Sequence, residues 1–131
     1  MFLVDTSVWI DFFADRESLQ VEYLAKAISQ GEDICLCDVV LTEVLQGISK
    51  PKQYQQTLVA MGALTFLPTT RDVSILAADI YRSLRARGVT VRKTIDCIIA
   101  AVALENDVPL LHHDRDFDPI EKYCYLKTIK L

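Results

Sequence analysis

The sequence lacks the features of membrane-spanning and secreted proteins. No apolar run approaches the roughly 20 residues that a bilayer-spanning helix needs. The N-terminus also lacks the basic start, apolar stretch and small-residue cleavage site of a secretory signal. We therefore expect a cytoplasmic protein without a membrane partner. With four glycines and four prolines, 51% hydrophobic residues and 131 residues in all, the chain is predicted to be a soluble single domain over residues 1–131.

The four cysteines lack the spacing of a zinc site or a disulfide framework. Cys35 and Cys37 alternate in an apolar run, Cys97 lies in an apolar helical segment and Cys124 is near the C-terminus. None belongs to a Cys-x-x-Cys pair, and disulfides are uncommon in the cytosol. We predict that the cysteines act as small buried hydrophobic residues.

Positive charge is in deficit, with 14 Lys and Arg against 18 Asp and Glu and a net charge of −4. This balance argues against broad electrostatic binding of nucleic acid. Five cations nevertheless fall within a dozen residues: Arg82, Arg85, Arg87, Arg92 and Lys93. They form either a solvated helix face with its following loop or a rim that guides phosphates beside an acidic pocket.

Short apolar strands alternate with helical segments along the chain. We predict strands at residues 2–5, 34–37, 64–67, 110–111 and 125–129. We predict helices after Thr6 or Ser7, over 18–30, from an Asp38 cap to about 48, over 51–62, from a Thr70 cap to Gly88, and over 94–106. This order predicts an α/β fold with a mostly parallel sheet and helices on both faces. Ligands of such sheets bind beyond the carboxyl ends of the strands, where Asp5 and Asp114 would both lie.

Two early acids stand in surroundings that are costly for a carboxylate unless a cation is near. Asp5 ends the first strand, where it could cap the next helix unless Thr6 or Ser7 does so. If Asp5 does not cap the helix, Thr6 would hydrogen-bond the Asp5 carboxylate and steady it without binding the metal itself. Glu43 lies in an apolar helix beside Gly47, which is expected to leave open space next to it. The alternative for Glu43 is an ordinary solvated position.

Later acids extend the set. Asp96 opens a helix that is apolar on nearly every side. Because Thr94 is available as the helix cap, we interpret Asp96 as a ligand rather than a capping residue. Asp114 and Asp116 follow the strand at 110–111 in a polar segment, and they either face one ion or lie on opposite sides of the turn.

The side chains in this set select the kind of metal. His112 and His113 have no third imidazole and no suitably spaced cysteine, so we interpret them as loop residues rather than zinc ligands. Carboxylates alone favour Mg²⁺ or Mn²⁺. Two carboxylates about 4 Å apart repel by roughly 4 kcal/mol at an effective dielectric of about 20, which protons or a metal would relieve.

Four segments, taken in order, resemble the PIN-domain ribonucleases, and most closely the VapC-type toxins of type II toxin–antitoxin pairs. The segments are Leu3–Asp11, Leu41–Gly47, Asp96–Ala101 and His113–Phe117. The resemblance covers essentially the whole chain. It implies a three-layer α/β/α sandwich whose acidic pocket binds Mg²⁺ or Mn²⁺ and cleaves RNA.

The resemblance also implies residue roles. Asp5 and Asp96 would be the principal metal ligands, Glu43 a ligand or a residue acting through a coordinated water, and either Asp114 or Asp116 the fourth acid. Hydrolysis by a metal-activated water would leave a 5′-phosphate and a 3′-hydroxyl. A homodimer and a cognate VapB-like antitoxin that plugs the pocket are implied as well. The candidates for guiding the RNA are Thr6, Arg85, Arg87, Arg92 and Lys93.

Two other classes of function are weaker. A haloacid-dehalogenase-like phosphatase needs an acid two residues after its nucleophile, where Ser7 stands, and the residues of a receiver domain cannot be assembled. A PIN-like protein that only binds a partner or RNA would be expected to have lost an acid, and here the set is intact.

Overall fold

The computed structural model describes residues 1–131 and shows strands alternating with helices, as the sequence predicts. The strands are β1 (Phe2–Val4), β2 (Ile34–Cys37), β3 (Thr65–Leu67) and β4 (Leu110–Leu111). The helices are α1 (Thr6–Phe13), α2 (Leu19–Ser29), α3 (Asp38–Gln46), α4 (Pro51–Gly62), α5 (Arg71–Ala86), α6 (Thr94–Glu105) and α7 (Asp118–Cys124). A 3₁₀ turn at Arg115–Phe117 precedes α7.

The four strands form one parallel sheet in the order β3-β2-β1-β4. Leu3 of β1 pairs with Cys35 on one side and with Leu110 on the other. The predicted α/β fold with a parallel sheet flanked by helices is therefore confirmed. The chain adds β2 and β3 on one side of β1 and returns to the opposite side for β4. This reversal puts the topological switch point, where such sheets bind ligands, between β1 and β4.

Helices cover the sheet and bury its strands. Every residue of β1, β2 and β4 is buried, which explains why these strands read as continuous apolar runs. Helix α6 is buried nearly all round, including Cys97 and Ala100, and packs along α5. The four cysteines are free, and three of them are buried while Cys124 is half-buried. None of the helices combines the length and apolar content needed to cross a bilayer.

The predicted strand at 125–129 is wrong. Residues 118–124 form α7, which the sequence analysis missed, and the helix ends at Tyr125 with a left-handed φ of +62°. The chain then meets the sheet only at an isolated parallel bridge between Leu110 and Thr128. There Leu110 donates its N–H to the Lys127 carbonyl, and Ile129 donates to the Leu110 carbonyl. Because β4 has only two residues, it offers this segment no longer ladder.

Helix caps account for the remaining differences. Thr70 caps α5 through a 3.2 Å hydrogen bond from the Val73 N–H, as predicted. Asp38, the predicted cap of α3, is instead its first residue, and Cys37 holds the cap position. The Asp38 carboxylate accepts the Thr69 N–H at 2.6 Å, so it ties α3 to the segment after β3.

Replacing Phe117 by alanine is expected to lower the free energy of unfolding by about 3–5 kcal/mol, because removing a fully buried ring leaves a cavity. The matched variant is Phe66→Ala, at an edge-strand position that is 46% exposed, where the loss should be about 1 kcal/mol or less. Urea denaturation measures both. Equal losses would show that Phe117 does not anchor the turn at 115–117.

Candidate functional site

Two acids meet at the switch point because they follow adjacent parallel strands. Asp5 comes directly after β1, and its N–H donates to the Leu111 carbonyl at 2.9 Å. The chain leaving Leu111 reaches Asp114 three residues later, where the Asp114 carboxylate begins the 3₁₀ turn. The carboxyl ends of β1 and β4 thus bring Asp5 and Asp114 to the same edge of the sheet.

Asp5 itself caps α1, in place of Thr6 or Ser7. Its extended backbone directs Oδ2 to the free Ser7 N–H at 3.0 Å, the geometry that a capping aspartate adopts. Ser7 Oγ also donates to Asp5 Oδ2 at 2.6 Å and accepts the His113 N–H at 3.1 Å. Ser7 therefore joins the end of β1 to the segment after β4. Burial raises the pKa of Asp5 above its usual range although the Ser7 hydrogen bonds oppose the shift, and nearby Glu43 adds to it.

Glu43 approaches the same region from α3. Thr6 Oγ1 donates to Glu43 Oε1 at 2.7 Å. The expectation that Thr6 hydrogen-bonds Asp5 is therefore wrong. Gly47 ends α3 instead of lying within it, and a Cβ there would make only ordinary contacts at 3.7 Å or more. The open space beside Glu43 is a groove of about 370 Å³ that Phe13 and Gly47 help to line.

Two further carboxylates join Asp114 at the start of α6. Asp96, Asp114 and Asp116 each offer an oxygen within 4.8 Å of the others. Asp96 is buried in the first turn of α6. The predicted Thr94 cap is wrong: Thr94 is the first helical residue, and Lys93 before it makes no side-chain cap hydrogen bond. We call Asp96, Asp114 and Asp116 the acid cluster.

Two consecutive cations neutralise part of the acid cluster. Lys93 Nζ lies 3.3 Å from Asp114 Oδ2 and 3.8 Å from Asp96 Oδ2. The Arg92 guanidinium binds both oxygens of Asp116, each at 3.1 Å from Nη2. Asp114 Oδ1 accepts the Asp116 N–H at 2.9 Å. Each acid of the cluster thus has a defined partner within the chain.

The other predicted guiding cations lie elsewhere. The Arg85 guanidinium is 5.7 Å from the centre of the Tyr81 ring, and that of Arg87 is 4.7 Å from the Tyr123 ring. The run of basic residues therefore divides into Arg92 and Lys93 at the acids, and Arg85 and Arg87 against tyrosines.

The acids differ in their affinity for protons. Burial raises the pKa of Asp96 to about 7; Lys93 opposes this shift, whereas Asp5, Asp114 and Asp116 add to it. Burial also acts to raise the pKa of Asp114, but the Asp116 N–H and Lys93 bring it below its usual range. Asp5 and Asp96 therefore influence each other electrostatically, and the site holds more negative charge than its own cations balance.

The donor set fits a hard divalent cation. It consists of carboxylate oxygens, which suit Mg²⁺ or Mn²⁺, and burial together with the neighbouring acids raises the pKa of Asp96 to about 7. His112 does not belong to the set. Its Nδ1 accepts the Asp114 N–H at 3.2 Å and its ring packs against Phe117.

Sequence reasoning missed Arg115, which no ion pair engages. It helps to line a cavity of about 80 Å³ that includes Asp96 and Asp116. It also lines an open groove of about 520 Å³ without any apolar side chain, beside Asp114. Its position between two candidate acids in the sequence was the available signal. Ser7 gave none, because only the fold brings His113 next to it.

Comparisons with known proteins place the chain in one family. Residues 2–123 match the sequence profile of the family described as PIN domain. The chain is 30% identical over 130 residues to VapC ribonuclease Mb1587 of Mycobacterium bovis, covering 98% of this chain and 97% of that protein. It is 31% identical over 119 residues to ribonuclease VapC51 of Mycobacterium tuberculosis, covering 91% and 84%.

Solved structures show the same fold at lower identity. VapBC-1 from nontypeable Haemophilus influenzae matches with a TM-score of 0.77 and 17% identity, covering 98% of this chain and 96% of that chain. VapBC2 from Rickettsia felis, bound to a DNA fragment from its promoter, matches with a TM-score of 0.76 and 14% identity, covering 99% and 98%.

Asp96 is expected to make the metal-free protein less stable as pH rises. Its pKa is about 7 in the folded chain against an ordinary 3.8, so the folded state binds the proton more tightly. The bound proton of Asp96 therefore adds to the free energy of unfolding. This contribution is complete below about pH 4 and is lost as pH rises through 7, by up to about 4 kcal/mol. Urea denaturation in EDTA should show this fall in the wild type and a flatter profile in Asp96→Asn. Identical profiles would contradict the assignment.

Proposed function

The chain belongs to the PIN-domain family, in its VapC group, and we propose that it is the ribonuclease toxin of a toxin–antitoxin pair. The observation that carries the proposal is the convergence of acids at the switch point of the sheet. Carboxylate oxygens of Asp96, Asp114 and Asp116 lie within 4.8 Å of one another, and the charge of Asp5, which follows β1, acts on Asp96. Relatives of nearly the same length are named ribonucleases. The match over residues 2–123 removes the basis for a phosphotransfer domain.

We propose that Asp5, Asp96 and Asp114 hold one Mg²⁺ or Mn²⁺, with Glu43 beside them. Asp114 is favoured over Asp116 as the fourth acid, because Arg92 already binds both oxygens of Asp116. When bound, such an ion lowers the pKa of a water and stabilises charge on a phosphodiester.

The chain's own residues prepare the site for hydrolysis. Ser7 fixes Asp5 through two hydrogen bonds. Thr6 occupies Glu43 Oε1 and leaves Oε2 to accept a proton from the attacking water. Side chains that hydrogen bonds already hold in place need little rearrangement during the reaction. This preorganisation lowers the activation barrier.

The RNA strand is proposed to enter along the polar groove beside Asp114. This groove has no apolar lining, and it contains one guanidinium, that of Arg115, beside Asp114 and Asp118. A cation there would bind a phosphate of the RNA backbone. Arg115 replaces Arg85 and Arg87 as the guiding cation, because those two contact tyrosines away from the acid cluster.

We propose that the toxin works in the cytoplasm as a homodimer of single-domain chains spanning residues 1–131, and that a cognate VapB-like antitoxin silences it. The structural neighbours from Haemophilus and Rickettsia are VapBC proteins. An acidic pocket with excess negative charge suits a basic antitoxin side chain.

Changing Asp5 or Asp96 to asparagine should reduce Mg²⁺-dependent cleavage of RNA at least about a hundredfold, because each change removes a charged metal ligand. Asp79→Asn, at an exposed position on α5, should leave the rate unchanged. Cleavage of total cellular RNA by purified, folded protein measures this. A fully active Asp5→Asn, Asp96→Asn double variant would refute the nuclease assignment, whereas a wild type that binds RNA without cleaving it would favour a binding protein.

Changing Arg115 to glutamine should raise KM for RNA about fivefold with little change in kcat, since one phosphate contact is lost. The slope of the logarithm of RNA affinity against the logarithm of salt concentration should also fall by about one, the value for one lost phosphate contact. Arg71→Gln, at the exposed start of α5, is the matched control. A fall in kcat with KM unchanged would instead place Arg115 in the chemical step.

A further inference from the structure

The ammonium of Lys93 stands between two acids of the proposed metal site. It contacts Asp114 Oδ2 at 3.3 Å and Asp96 Oδ2 at 3.8 Å. The neighbouring Arg92 serves only Asp116. One lysine is thus the shared counterion of Asp96 and Asp114, the pair that would coordinate the ion.

An ammonium and a divalent cation compete for these oxygens. Both are drawn to the gap between the Asp96 and Asp114 carboxylates, and two cations so close repel strongly where water is partly excluded. Lys93 is the group able to leave, because its side chain is 53% exposed while that of Asp96 is only 7% exposed. Its flexible stem lets the charge move into water without disturbing the backbone.

Resting on the function proposed above, we propose that Lys93 is an internal competitor of the metal. In the metal-free chain it fills the cation position between Asp96 and Asp114, and metal binding releases it to solvent. Lys93 thereby weakens metal affinity and keeps the empty site folded. The released ammonium remains at the mouth of the pocket, where it is free to meet an RNA phosphate.

The alternative is that Lys93 only orients the acids for the metal. Both roles predict that losing the lysine destabilises the metal-free protein. They differ in the sign of the effect on metal affinity. Competition predicts tighter binding without the lysine, and orientation predicts weaker binding.

The test is calorimetric titration of Mn²⁺, without RNA, into the wild type, Lys93→Gln and Lys93→Arg. Lys93→Gln should bind Mn²⁺ at least about tenfold more tightly than the wild type. Lys93→Arg, which keeps the charge, should stay near the wild type. Should Lys93→Gln fail to fold without metal, Lys93→Met at the same position provides the neutral variant.

Lys127→Gln is the matched control, because Lys127 pairs with Asp107 just beyond the opposite end of α6, about 18 Å away. It removes one Lys–Asp pair and one charge, and should leave Mn²⁺ affinity within about twofold. Unchanged or weaker Mn²⁺ binding by Lys93→Gln, in a protein whose wild type binds Mn²⁺ and cleaves RNA, would overturn this inference alone. Absence of Mn²⁺ binding by every form would overturn the proposed metal site together with it.

Discussion

The structure depends on one electrostatic conflict: several carboxylates are held close together where water is scarce. Asp5 and Asp96 are buried, and burial raises the pKa of both. The chain relieves the conflict with its own cations, Lys93 and Arg92, and by keeping a proton near Asp96. This relief is partial, and the remaining negative charge is what suits the pocket to the divalent ion proposed above.

The fold creates the conflict through its topology. In this parallel sheet the side on which strands are added changes between β1 and β4, which opens a crevice where both strands end. Helix α6 delivers Asp96 there from a segment so apolar that it must lie in the interior. The acids are far apart in sequence, and they meet because neighbouring strands and one buried helix point to the same place.

Much of this could be read from the sequence. The apolar runs at 2–4, 34–37 and 110–111 are strands because both faces are covered. Asp5, Glu43 and Asp96 stood out as acids in apolar surroundings, and Asp114 stood out because it closely follows a strand. Hydrogen-bond partners could not be read in this way. Thr6 bonds Glu43 rather than Asp5, and Lys93 pairs with Asp114 across the site. Such contacts depend on side-chain direction and on the turn at 115–117, which leave no periodic signal. Helix α7 was missed because it has only seven residues, too few for a clear helical period. It ends at Tyr125, whose left-handed backbone has no signal in the sequence.

The most direct measurement is the anomalous diffraction of a crystal of the wild-type protein soaked in Mn²⁺. The account predicts a manganese peak bounded by Asp5, Asp96 and Asp114, with the Lys93 side chain displaced from between the last two. A peak at another group, such as His112 with Asp118 and Glu121, or no peak at the acid cluster, would contradict it.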